Sequence, residues 1–177
     1  MNVTGPGNTQ QDEWREKHMG EIMNACCFTG HRENKLHRTE KEILKDLDRE
    51  ISRALEDGYT TFICGMAYGV DIWAGEIVAK KRFWNHRIKL IAAVPFEGFE
   101  ARWNEQWKNR YQKLLKKADE VHYICEGYAS FVYQRRNEWM VDRSSRVIAV
   151  YNGEPGGTKN TINYAKKKDV PVILIEG

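Results

Sequence analysis

No apolar run in the 177 residues approaches the roughly 20 that a membrane-spanning helix needs, so no spanning segment and no membrane partner is expected. HExxH, GxSxG, the GxxxxGK phosphate loop followed by Ser or Thr, and paired Cys/His metal spacings are all missing, which removes the common hydrolase, NTPase and zinc templates. The four cysteines Cys26, Cys27, Cys64 and Cys125 have no CxxC spacing, and three of them fall in apolar runs. They read as small core hydrophobes rather than metal ligands or disulfide partners. Nor is there an excess of one charge: 28 Lys and Arg against 25 Asp and Glu leave a net +3, too little to imply nucleic-acid binding by itself. Lys166, Lys167, Lys168 and the Arg135/Arg136 pair could still build local positive potential. Repeats and low-complexity tracts are absent as well.

What is present is a globular composition, 41% hydrophobic and 30% charged, at a length suited to one domain. Met1 to Gly20 is polar, carries both charge signs and has no apolar h-region, so it does not read as a secretory signal, and a cytoplasmic protein is expected. Residues 1–22 show no usable periodicity. They are expected to be a disordered tail, native or added, with Met19 and Met23 as alternative starts and the domain running over 23–177.

From there short apolar runs alternate with amphipathic stretches. Strands are expected at Ala25 to Phe28, Thr60 to Cys64, Ile88 to Val94, Glu120 to Ile124, Arg146 to Val150 and Val170 to Ile175. Helices are expected at Glu40 to Glu56, Val70 to Lys81, about Trp103 to Lys117, Phe131 to Arg143 and Gly157 to Lys167. Apolar strands alternating with helices imply a mostly parallel sheet covered on both faces: an α/β, Rossmann-like, doubly wound single domain. In such sheets ligands bind beyond the carboxyl ends of the strands, where strand order reverses.

Three post-strand loops therefore stand out: Thr29-Gly30-His31-Arg32, Gly65-Met66-Ala67-Tyr68-Gly69-Val70-Asp71, and Pro155-Gly156-Gly157-Thr158. Glycine lets backbone amides approach phosphate oxygens, and a helix starting just afterwards aims free N–H donors at the anion. Each loop alone could owe its glycine to turn geometry; their joint occurrence at one sheet edge favours a ligand. Arg32 can supply charge-assisted bonds and Thr29 a hydroxyl. His31 could carry a proton, donate to phosphate or simply bond within the turn. Asp71 could accept ribose hydroxyls or cap the helix it opens. Glu76 is either a ligand contact or a solvated helix residue. The stretch Tyr133 to Asp142, with Arg135 and Arg136 beside aromatics, suits a wall for a base or second phosphate. Trp103 and Trp107 share a helical face, as core, interface or stacking residues. No metal site or cofactor is expected, and no catalytic residue is assigned.

The segments Cys26-Cys27-Phe28-Thr29-Gly30-His31-Arg32, Gly65 to Asp71 and Pro155 to Thr158 together resemble the SLOG superfamily, most closely its YpsA-like branch, over about Asn24 to Ile175. The resemblance implies a Rossmann-like fold and a pocket for nucleotides or nucleotide-derived molecules. The superfamily includes LOG phosphoribohydrolases, which cleave nucleoside monophosphates to base and ribose phosphate, and the DNA-binding DprA proteins. The LOG pattern PGGxGTxxE is not met here: Lys159 stands for the last of its glycines, Asn160 for the threonine and Asn163 for the glutamate. An amide cannot do a carboxylate's acid–base work.

The expectation is thus a binding or sensing protein for a nucleotide-derived small molecule, held by Thr29, Gly30, His31, Arg32, Gly65, Gly69, Asp71, Glu76, Arg135, Arg136, Pro155, Gly156, Gly157 and Thr158. A LOG-like hydrolase, with Glu76 or Asp71 substituting, is the alternative. DprA-like nucleic-acid binding is the least favoured. Exposed tryptophans could form a homodimer face.

Overall fold

Strands that are apolar on both sides must be covered on both sides, and the computed structural model, which describes residue 13 and residues 16–177, supplies that cover. A short helix α1 (Met19–Met23) leads into β1 (Ala25–Gly30). A 3-10 turn (Glu33–Lys35), α2 (Glu40–Glu56), β2 (Thr61–Cys64), α3 (Val70–Trp84), β3 (Lys89–Val94) and α4 (Glu105–Leu115) follow. The chain closes with β4 (Glu120–Tyr123), α5 (Val132–Asp142), β5 (Arg146–Tyr151), α6 (Gly157–Lys167) and β6 (Val172–Glu176). Most of the expected tail lies outside the described residues; its described part carries most of α1, whose Ile22 is buried.

All six strands pair in parallel in the order β4-β3-β2-β1-β5-β6. The chain steps outward from β1 to β4 and then returns to place β5 against the other side of β1. That reversal puts a crevice beyond the carboxyl ends of β1 and β5. Period-two alternation divides the core: Phe28, Phe62, Leu90 and Ile148 face α2, α3 and α4 through Leu47, Ile51, Trp73, Tyr111 and Leu114. Cys27, Ile63, Ala93 and Val147 face α5 and α6 through Met140, Val141, Ile162 and Ala165.

Helix α2 begins where its Thr39 and Glu42 form a reciprocal capping box. Helix α4 begins at Glu105 rather than Trp103 because the Asn104 side chain accepts from the Trp107 amide at 2.9 Å. Helix α3 runs past Lys81 to Trp84, with Lys81 and Arg82 in a last turn whose carbonyl dipole favours them. Strand β6 starts after Pro171, which has no amide to offer the ladder. Among the described residues no helix is long and apolar enough to cross a membrane.

Candidate functional site

A cleft of about 330 Å³ opens at the carboxyl ends of the strands. The end of β1 and the turn after it contribute Thr29, Gly30, His31, Arg32 and Lys35, and the turn after β2 with the first turn of α3 contributes Ala67, Tyr68 and Asp71. Phe99 and Trp103 come from the connection after β3, Tyr133, Arg136 and Asn137 from α5, and Gly156, Gly157 and Thr158 from the start of α6. The expected residues Thr29, Gly30, His31, Arg32, Asp71, Arg136, Gly156, Gly157 and Thr158 are thus brought together.

Gly65, Gly69, Glu76, Arg135 and Pro155 do not line it. A Cβ on Gly65 would overlap the Arg136 guanidinium, so this glycine lets the arginine lie against the backbone, where Nη1 donates to the Gly65 carbonyl. Gly69, at φ 89°, packs where a Cβ would stand 3.1 Å from the Glu33 amide nitrogen. Glu76 accepts from Arg110 Nε at 3.0 Å and Nη2 at 2.6 Å. Arg135 is exposed and lies over the Phe131 ring, and Pro155 is exposed just outside the cleft. Asn163 is exposed on α6 and does not reach the cleft either.

Three helices start at the cleft without a side-chain cap, α3 behind Gly69, α5 behind Phe131 and α6 behind Gly156, whereas α2 and α4 are capped by Thr39 and Asn104. Uncapped first turns leave amide donors and the positive dipole end for a ligand. On the floor, Asp71 Oδ2 accepts from the Ala67 amide at 3.3 Å and stands 3.4 Å from Arg136 Nη1. Burial pushes the Asp71 carboxyl above its ordinary range, against the opposing pull of Arg136 and the Ala67 amide. His31 stacks on Tyr151 at 5.5 Å, and burial, then Lys35, lowers its pKa. His31 Nε2 and Arg136 Nε are both buried with no hydrogen-bond partner.

The opposite side of the cleft is aromatic. Tyr68, Phe99 and Trp103 pack edge to face, Phe99 to Trp103 at 4.8 Å and Tyr68 to Trp103 at 5.2 Å, and Tyr133 completes the wall. Arg32 lies over the Tyr68 ring at 4.7 Å. Of the paired tryptophans, Trp103 reaches the cleft while Trp107 is in the core. Lys35, Ala67, Tyr68 and Phe99 were not singled out from the sequence. Tyr68 sits inside the second glycine loop and Phe99 in the turn after β3, so the post-strand rule extended to every residue of those turns finds both.

Cys26, Cys27 and Cys64 are buried and unpaired; burial pushes the Cys27 thiol up to about 12 and those of Cys26 and Cys64 well upward, which makes them inert. Among the described residues no cluster of His, Cys, Asp and Glu could hold a metal.

Six parallel strands doubly wound around a post-strand crevice define a Rossmann-like α/β protein. The chain belongs to the YspA SLOG family, whose model, YpsA, matches residues 26–176. It is 36% identical over 121 residues to the uncharacterized SPbeta prophage-derived protein YoqJ of Bacillus subtilis, covering 60% of this chain and 69% of that one. It is 30% identical over 155 residues to the UPF0398 protein BCB4264_A1614 of Bacillus cereus, covering 82% and 84%. The fold is similar to DNA processing protein A (DprA) of Streptococcus pneumoniae, with a TM-score of 0.63 and 20% identity, over 88% of this chain but about half, 51%, of that one. DprA of Helicobacter pylori, described for its single-stranded DNA binding mode, gives 0.63 at 16% identity, covering 91% and 68%. TM1055 gives 0.56 at 18%, covering 88% and 75%.

Proposed function

We propose that the cleft binds a nucleotide or nucleotide-derived ligand, with phosphate at the start of α6 and the turn after β1, and the base against the aromatic wall. The observation that carries this reading is the buried, unpartnered pair His31 Nε2 and Arg136 Nε beside an uncapped helix start. A buried polar atom without a partner costs about 1–3 kcal/mol, and an anion that pairs with it recovers that cost. Across the cleft, Tyr68, Phe99, Trp103 and Tyr133 offer flat apolar surface of the kind that receives a base.

Binding without cleavage is the favoured activity. The glutamate of the LOG pattern is replaced by Asn163, which lies outside the cleft, and among the described residues Asp71 is the one carboxylate lining it. The +3 charge by itself argues against nucleic acid, whereas the fold likeness to a DprA described for its single-stranded DNA binding mode argues for it.

The test is a thermal-shift screen against mononucleotides, dinucleotides, ADP-ribose and cyclic nucleotides, each positive mixture then chromatographed for free base. A ligand at 100 times its Kd adds about 2.7 kcal/mol. Stabilisation with intact ligand supports the reading, base release replaces it with hydrolysis, and no shift at millimolar ligand overturns it.

A further inference from the structure

The end of the sheet opposite the cleft carries a second constellation that the cleft does not use. Helix α3 ends in Lys80-Lys81-Arg82-Phe83-Trp84, and its 15 residues put that end about 22 Å from the cleft. Phe83 is 70% and Trp84 81% exposed, in edge-to-face contact at 4.9 Å. Rings this exposed, side by side, are unusual on a surface with nothing to bind. Beside them lies a hollow of about 630 Å³ between the ends of α3 and α4.

The charge of that hollow is one-sided. Arg82 is taken by Asp119 at 2.7 Å, and the hollow's carboxylate, Glu76, is taken by Arg110. Lys80, Lys116 and Lys117 line it with no ion pair among the described residues. The carboxyl ends of α3 and α4 bring roughly half a negative charge each, which still leaves about two positive charges.

We propose that this corner is a binding surface for single-stranded nucleic acid, phosphates entering the lysine-lined hollow and a base stacking on Trp84. Unpaired bases present free faces to an aromatic ring while a cationic groove follows the backbone. A duplex keeps its bases stacked inside and has no use for the rings. A planar anionic bilayer is the poorer fit, because the unpaired lysines line a concavity instead of ringing the aromatic tip.

The experiment is fluorescence anisotropy of a labelled oligothymidylate with the full chain, repeated from 50 to 200 mM salt. Binding is expected with a log–log salt slope of about −1.4, from about two phosphates neutralised on a single strand. Trp84→Ala is expected to weaken it about 5-fold or more, and Lys116→Glu with Lys117→Glu to abolish the salt dependence. All three side chains are exposed, and an unchanged melting temperature certifies the fold of each variant. No binding overturns the proposal, as does binding that these variants leave unchanged, equal affinity for a duplex of the same length, or pelleting with phosphatidylserine vesicles in place of oligonucleotide binding.

Discussion

Arg136 meets Asp71 at 3.4 Å in the cleft floor, a long contact between two side chains that are each 7% exposed. Because the pairing is loose, burial outweighs it and the Asp71 carboxyl titrates above its ordinary range. Between the unfolded value, about 4, and the raised one, the folded chain holds a proton that the unfolded chain has released, so this group's contribution to stability falls as pH rises. Urea midpoints of the wild type, measured relative to Asp71→Asn, are expected to decline from pH 4 to 7. Parallel curves would remove Asp71 as the titrating group.

His31 has the opposite sign. Burial lowers its folded pKa, so its contribution is whole above about 6.5 and is lost as pH falls below that. A phosphate in the cleft favours the imidazolium. Histidine NMR titration should give His31 a pKa below 6.5 in the free protein and a higher one with a stabilising nucleotide; an unmoved resonance would place the ligand elsewhere.

Two glycines of the expected site separate structure from binding. A methyl at Gly65 would overlap Arg136 and stand 2.6 Å from Asp71 Oδ2, whereas at Gly157 the nearest atom is Asn137 Nδ2 at 3.9 Å. Gly65→Ala is expected to cost about 1–3 kcal/mol in urea denaturation. Gly157→Ala should leave stability within about 0.5 kcal/mol yet weaken nucleotide binding, since its methyl enters the cleft. Equal effects on stability would contradict this division.

Glu76→Gln breaks the pair with Arg110, whose partners are 37% and 23% exposed. A loss of at most about 1 kcal/mol and unchanged ligand affinity are expected. A large change in affinity by calorimetry would return Glu76 to the site.

The strand–helix rhythm was legible because the apolar period is clear and the helix-start signals agree with it: Glu40–Glu56, behind its Thr39 cap, and Gly157–Lys167, behind Gly156, run where their spacing puts them. The glycine loops were legible for their location, yet not for which glycine faces the ligand. Gly65 shelters an arginine 71 positions along the chain, and no local pattern reports such a contact. Met66 holds φ 62°, unusual for a side chain of its size, with its amide donating to Cys64 Sγ at 3.4 Å. Glu76 follows Asp71 by five positions, which turns it about 140° around α3 toward Arg110. The aromatic wall draws on three separate segments, each unremarkable by itself.

Gly30 lies where a Cβ would stand 2.5 Å from the side chain of Val70, so the end of β1 rests directly on the first residue of α3. Drift at the two positions is therefore tied: a methyl can be gained at 30 only as bulk is given up at 70. Relatives that keep this cleft should exchange the two residues together, and a library randomising both should return small–large pairs in place of independent choices.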